Sequence, residues 1–212
     1  SCWAEAQVVR GARAWHAEAM ARRRPKDPAA LLLWPGAGTG ADHPSLVALS
    51  EGITEMPVFR LDFPYRREGR RAPDRAPKLI ASIVADVQRI SEELDVDPAR
   101  LVIGGRSMGG RMCSMAVAEG LRAAGVVLIA YPLHPPAKPD KLRTEHLPEI
   151  RVPTLWLCGD RDPFGTPEEL EAARGLVRGP VTSVTLQGRH DLKGCDPVVL
   201  AELRDWLGLA RV

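Results

Sequence analysis

The chain has no CxxC pair; its four cysteines stand apart at positions 2, 113, 158 and 195. That scatter argues against a structural zinc site or a dithiol redox centre. Cys113, on the apolar side of a helical pattern, and Cys158, at the end of a strand pattern, read as small buried hydrophobes. Such thiols suit a reducing compartment, so a cytoplasmic location is expected. No window approaches the apolar length of a membrane span, and no membrane insertion is expected. No apolar h-region opens the chain, so no signal peptide is visible. Excess charge is lacking too: 29 Lys and Arg against 27 Asp and Glu leave a formal +2, too little to argue for nucleic acid or an anionic membrane. The clusters Arg22-Arg23-Arg24 and Arg66 to Arg75 carry no interleaved aromatics and read as solvated surface. There is no internal repeat and no low-complexity tract. No three histidines and carboxylates show a metal-site spacing, so neither metal nor cofactor is expected.

What remains is ordinary in size: 212 residues and 23.1 kDa, one domain able to bury a core. Residues 1–25 are expected to form an N-terminal helix (Glu5 to Arg23) packed on or flanking the core, with a single domain over 26–212. Short, largely apolar segments recur and read as strands of a parallel sheet, the first of them a continuous apolar run stopped by Pro35-Gly36. They are Ala30–Trp34, Met56–Leu61, Leu101–Gly104, Val126–Ile129, Thr154–Cys158 and Val181–Leu186. Between them helical patterns are expected over Pro44–Glu51, Leu79–Leu94, Ser107–Glu119, Pro167–Gly175 and Asp196–Leu207, the last with Asp196 as N-cap. Phe63 to Pro77, rich in arginine and proline, reads as loop. This alternation predicts an α/β fold with a mostly parallel central sheet and helices on both faces. Active groups in such sheets gather at the C-terminal ends of strands.

The third strand runs into Gly104-Gly105-Arg106-Ser107-Met108-Gly109-Gly110 and then a helix, the strand, tight turn and helix of a nucleophile elbow. Gly105 and Gly109 flank Ser107 where a Cβ would collide, leaving the serine on an exposed tip. A serine hydroxyl needs a base, and the base an orienting group. Gly188-Arg189-His190-Asp191 after the sixth strand offers His190 as base. Gly159-Asp160-Arg161-Asp162-Pro163-Phe164 after the fifth offers Asp162 as orienter, with Asp160 competing for that role. The bland alternatives are a serine N-cap, a surface histidine and an Asp191 that binds an arginine or caps a turn.

In chain order and in motif these segments resemble the α/β-hydrolase family. Gly-Arg-Ser-Met-Gly is similar to its G-x-S-x-G elbow, Gly-Asp-Arg-Asp-Pro-Phe to its acid loop and Gly-Arg-His-Asp to its histidine loop. The resemblance runs from about Leu31 to Leu207. It implies that Asp162, the second aspartate of its loop, is the functional acid. It also implies an oxyanion hole from the N–H groups of Met108 and Ala37, with Gly38 as runner-up for Ala37. Pro35 departs from the family's common His-Gly opening at that loop. More narrowly, Gly105-Arg106-Ser107-Met108-Gly109-Gly110-Arg111 and Tyr131-Pro132-Leu133-His134-Pro135-Pro136 resemble a subfamily that includes a testis-expressed protein and a hydrolase-like subunit of a chromatin-modifying complex (NSL). The chain also resembles the small, lidless dienelactone-hydrolase group. Only about twenty residues, Tyr131 to Arg151, separate the fourth and fifth strands, which leaves no room for a large lid.

The expected function is therefore a serine hydrolase acting on small acyl ester or thioester substrates. Candidate pocket residues are Gly38, His43, Arg106 and His134. Arg106 either faces an anionic substrate or pairs with an acid such as Asp62 or Asp162, and Arg111 shares that ambiguity. His43, followed by Pro44, equally suits a helix start, and His134 a proline-fixed loop. The rival reading is a non-catalytic scaffold, with Trp3 and Trp15 of the N-terminal helix docking a partner. Nucleotide binding is disfavoured, because Pro35-Gly36-Ala37-Gly38-Thr39-Gly40 lacks the lysine of a P-loop.

Overall fold

The computed structural model describes residues 24–210; the helix expected over 5–23 lies outside them. Six strands, β1 (Ala30–Trp34), β2 (Val58–Arg60), β3 (Leu101–Arg106), β4 (Gly125–Ile129), β5 (Thr154–Gly159) and β6 (Val181–Leu186), form one sheet in the order β2-β1-β3-β4-β5-β6. Every pairing is parallel. Strands with apolar residues on both faces are what a doubly covered parallel sheet requires. Along β1, Ala30, Leu32 and Trp34 enter one hydrophobic cluster while Leu31 and Leu33 enter the other.

The first cluster is closed by α3 (Ala76–Leu94), α4 (Met108–Ala118) and α5 (Pro167–Arg174), the second by α1 (Pro44–Gly52) and α6 (Asp196–Leu207). Helix α5 starts on a capping box in which Thr166 and Glu169 bond each other's backbone N–H groups, as the T-x-x-E spacing allows. Between β4 and β5 the only regular structure is the 3₁₀ turn Leu147–Glu149, and there is no large lid.

Two expectations are corrected. The segment read as loop contains α2 (Pro64–Arg67), where proline at the first turn and the buried Tyr65 anchor a single helical turn. The N-cap of α6 is Cys195 rather than Asp196, which sits in the first turn, where the helix dipole favours an acid.

Candidate active site

Ser107 links β3 to α4 with φ 50° and ψ −114°, a region non-glycine residues rarely occupy. Its neighbours explain why the turn closes. A Cβ on Gly105 would lie 2.0 Å from the Trp34 carbonyl oxygen, and one on Gly109 2.2 Å from the same atom. The backbone is held by a bond from the Ser107 N–H to the Ile129 carbonyl at the end of β4 (2.8 Å). Although Ser107 is the N-cap of α4, its hydroxyl makes no capping bond. It points to His190, with Oγ 2.8 Å from Nε2.

The other imidazole nitrogen, Nδ1, lies 2.7 Å from Asp162 Oδ2. Asp162 is buried, and its second oxygen accepts the Phe164 N–H at 2.9 Å, which fixes the carboxylate plane. Phe164 packs against the imidazole with ring centroids 4.1 Å apart. Asp160 does not orient the imidazole: its Oδ1 accepts the Gly188 N–H at 2.8 Å and joins the acid loop to the histidine loop. Asp191 is exposed, and its carboxylate accepts the Lys193 N–H in a local turn.

The loop after β1 passes directly over the serine. A Cβ on Gly36 would stand 3.6 Å from Ser107 Cβ. The next residue, Ala37, is exposed and its N–H makes no hydrogen bond among the described residues. Met108 is the first residue of α4, where N–H groups have no intrahelical acceptor. The Gly38 N–H, in contrast, is engaged by the Tyr65 hydroxyl at 3.2 Å, with Gly38 at φ 74°. Tyr65 is fully buried, and burial raises its hydroxyl pKa. Its support of the loop had no sequence signal beyond an aromatic in an arginine-rich stretch.

The remaining sequence candidates divide. Arg106 is buried but forms no ion pair with Asp62 or Asp162; its Nη2 donates to the His190 carbonyl at 2.9 Å. Burial pushes its guanidinium below the usual range, opposed by the charges of Asp196, Asp191 and Asp162. The expected pairing is thereby corrected: Asp62 instead accepts the Ala41 N–H, and Asp162 is already spent on the imidazole. His43 is the N-cap of α1, with Nδ1 2.7 Å from Ser45 Oγ and accepting the Ser45 N–H. Burial, then Arg106, lowers its pKa. His134 is buried, its Nε2 3.3 Å from Glu169 and its N–H bonded to the Phe164 carbonyl. It braces the acid loop rather than opening onto the serine. Among the described residues there is no metal-binding cluster, and no helix is long and apolar enough to cross a membrane.

A serine, an imidazole and a buried carboxylate joined in series, beneath two unengaged N–H groups, can do nucleophilic acyl chemistry. A family profile described as "Alpha/beta hydrolase domain" matches residues 27–197. Among solved structures the chain is similar to the dienelactone hydrolase from Anabaena variabilis (TM-score 0.69, 19% identity, 89% of this chain and 90% of that one). It is also similar to TT1662 from Thermus thermophilus (0.66, 23%, 89% and 92%). A third is the type II thioesterase BorB from the borrelidin biosynthetic cluster (0.62, 20%, 88% and 96%). At these identities the likeness is one of fold.

Proposed function

The chain belongs to the alpha/beta hydrolase family, and from that premise we propose that it is a serine hydrolase that cleaves small ester or thioester substrates through an acyl-enzyme intermediate. The observation that carries this reading is the unbroken chain Ser107 Oγ to His190 Nε2 at 2.8 Å and His190 Nδ1 to Asp162 at 2.7 Å.

Ser107 Oγ attacks the substrate carbonyl carbon as its proton passes to His190 Nε2. Asp162, accepting from Nδ1–H, holds the ring in the required tautomer and stabilises the imidazolium. The carbonyl oxygen, now negative, accepts from the Met108 and Ala37 N–H groups; each such donor is worth about 3 kcal/mol in the transition state. His190 returns its proton to the departing alkoxide or thiolate. Water, deprotonated by the same nitrogen, then attacks the acyl carbon. As the acyl–Oγ bond breaks, His190 Nε2 passes that proton to Ser107 Oγ, releasing the acid and restoring the free hydroxyl.

Esters and thioesters suit the site because their leaving groups need less protonation than an amine. The short connection between β4 and β5 leaves the serine open, which favours small or flexible acyl groups. Two relatives in fold, a thioesterase and a dienelactone hydrolase, support that substrate class. Within the family we place the chain beside the testis-expressed and NSL-complex relatives, on the GRSMGGR and YPLHPP segments. We also place it in the cytoplasm: Cys113 and Cys158 are free and buried, as a reducing compartment allows.

A series of p-nitrophenyl esters of increasing acyl length tests the reading. Saturable hydrolysis, fastest on short chains and lost in Ser107→Ala, is expected. Rates equal to the uncatalysed background across the whole series, from folded protein, would overturn it.

A further inference from the structure

On and beside the helix that starts at the nucleophile, two arginines, Arg111 and Arg143, have no counter-ion among the described residues. Arg111 stands one helical turn beyond Ser107, its N–H donating to the Ser107 carbonyl at 3.1 Å. Residues four apart share a helix face, and side chains lean toward the helix N-terminus; Arg111 is therefore carried back toward the serine. Tyr131 arrives from the other side, two residues beyond Ile129, whose carbonyl holds the Ser107 N–H. The Tyr131 hydroxyl donates to the Arg143 carbonyl at 2.6 Å, with the Arg111 and Arg143 charges close enough to act on it. Arg143 is bound to the same loop, with Nη1 on the Pro132 carbonyl at 3.0 Å.

Several other half-buried or buried arginines meet carboxylates, Arg24 with Asp205, Arg174 with Glu171 and Arg204 with Glu55, whereas Arg106 takes a backbone carbonyl instead. Arg111 and Arg143 form no ion pair with any described residue. Glu145, the acid whose charge reaches this cluster, is exposed and joins neither. Arg111 Nε is buried with no acceptor among the described residues, as is Nε of Arg24, Arg174 and Arg204, but those three have a carboxylate at the guanidinium's far end. Burial and then the Arg111 charge hold Arg143 below the usual guanidinium range. His146 adds no negative charge; its Nε2 meets Ser114 Oγ at 2.8 Å, while that hydroxyl donates to the Arg111 carbonyl. Two guanidiniums offer ten N–H donors between them, far more than this backbone accepts. Like charges brought together out of water are costly unless an anion joins them.

We propose that Arg111 and Arg143, braced by Tyr131, form a subsite for a terminal oxyanion of the substrate, a carboxylate or phosphate carried at a distance from the scissile carbonyl. The planar forks of arginine match both groups. This assignment deepens the serine-hydrolase reading and rests on it: the preferred substrate is an acyl ester or thioester bearing a negative charge.

The test compares activated esters matched in length. One is the mono-p-nitrophenyl ester of glutaric acid, the second its neutral methyl-capped counterpart, and the third an analogue ending in a phosphate monoester. The native protein should favour at least one anionic ester over the neutral one by about tenfold or more in kcat/KM, and the favoured arm identifies the group. That ratio should collapse in Arg111→Gln and Arg143→Gln, and survive in part in Arg143→Lys. Melting temperatures and circular dichroism confirm that the variants fold. Equal kcat/KM for all three esters, or a preference that both glutamine variants retain, would overturn the subsite. If no ester is hydrolysed, the reaction assignment fails separately. Calorimetric titration of the native protein with glutarate and with inorganic phosphate still decides the subsite: saturable binding lost in the glutamine variants supports it, and no binding of either anion overturns it.

Discussion

Arg106 holds the backbone of His190: its Nη2 donates to the histidine's own carbonyl at 2.9 Å, across 84 positions of sequence. The residue before the nucleophile thus fixes the loop that carries the base, so the register between β3 and the loop after β6 does not depend on the Ser107–His190 bond alone. Arg106→Met should lower kcat by about tenfold to a hundredfold, the scale of one charge-assisted bond, with KM little changed. Arg106→Lys should recover part of the loss. Steady-state kinetics on a neutral ester check this; a loss confined to KM would assign Arg106 to substrate binding instead.

The two aspartates of the acid loop should separate cleanly. Asp162→Asn leaves the imidazole without its anion and forces the wrong tautomer, with kcat down about 10⁴-fold and modest change in melting temperature. Asp160→Asn disturbs the bond to the Gly188 N–H and an exposed contact with Arg161, neither of which reaches the imidazole, so it should lower the melting temperature while retaining most of kcat. Paired thermal and kinetic measurements would show the reverse pattern if the roles were exchanged.

Tyr65→Phe removes the acceptor of the Gly38 N–H while keeping the buried ring. The loop presenting Ala37 should loosen, with kcat reduced about fivefold for the roughly 1 kcal/mol of one hydrogen bond. Stopped-flow acylation rates with an activated ester are the direct readout.

Gly109→Ala places a methyl against the Trp34 carbonyl at 2.2 Å, with no flexible side chain to yield. Strand and helix must separate, at a cost of about 1–3 kcal/mol or more. Urea denaturation should show a lower midpoint together with lost activity.

Stability should also depend on pH through His146. Burial and the Arg111 charge lower its pKa to about 4 from the ordinary 6.5. Between those values the unfolded chain binds a proton that the folded one refuses, so this contribution is fully present above pH 6.5 and is lost as pH falls toward 4. His146→Gln should flatten that part of the profile, as measured by urea midpoints at pH 7 and pH 5.

Much of this was legible in the residues themselves. The four central strands announce themselves because a doubly covered sheet needs apolar side chains on both faces. The edge strands β2 and β6, part-exposed and carrying Arg60 or Thr182, Ser183 and Thr185, give a weaker signal. The order Ser107, Asp162, His190 was visible for a related reason: loops at strand ends expose a few polar groups against an apolar background. What escaped detection depends on contacts distant in sequence. Nothing near Arg106 announces the carbonyl of His190 as its partner. Phe164 and Tyr65 gain their positions beside the imidazole and the Ala37 loop only once the sheet has formed. The turn Pro64–Arg67 is too short for a helical period to register. His43 and His134, both placed after strand ends, are drawn instead into a helix cap and a Glu169 contact, since imidazoles taken even partly out of water need a hydrogen-bond partner.

The most direct measurement is reaction with a fluorophosphonate followed by peptide mass spectrometry. The account predicts one covalent phosphonyl adduct on Ser107, formed rapidly in the native protein and slowed by orders of magnitude in His190→Ala. A folded protein that stays unmodified, or an adduct on another residue at the same rate in both proteins, would contradict it.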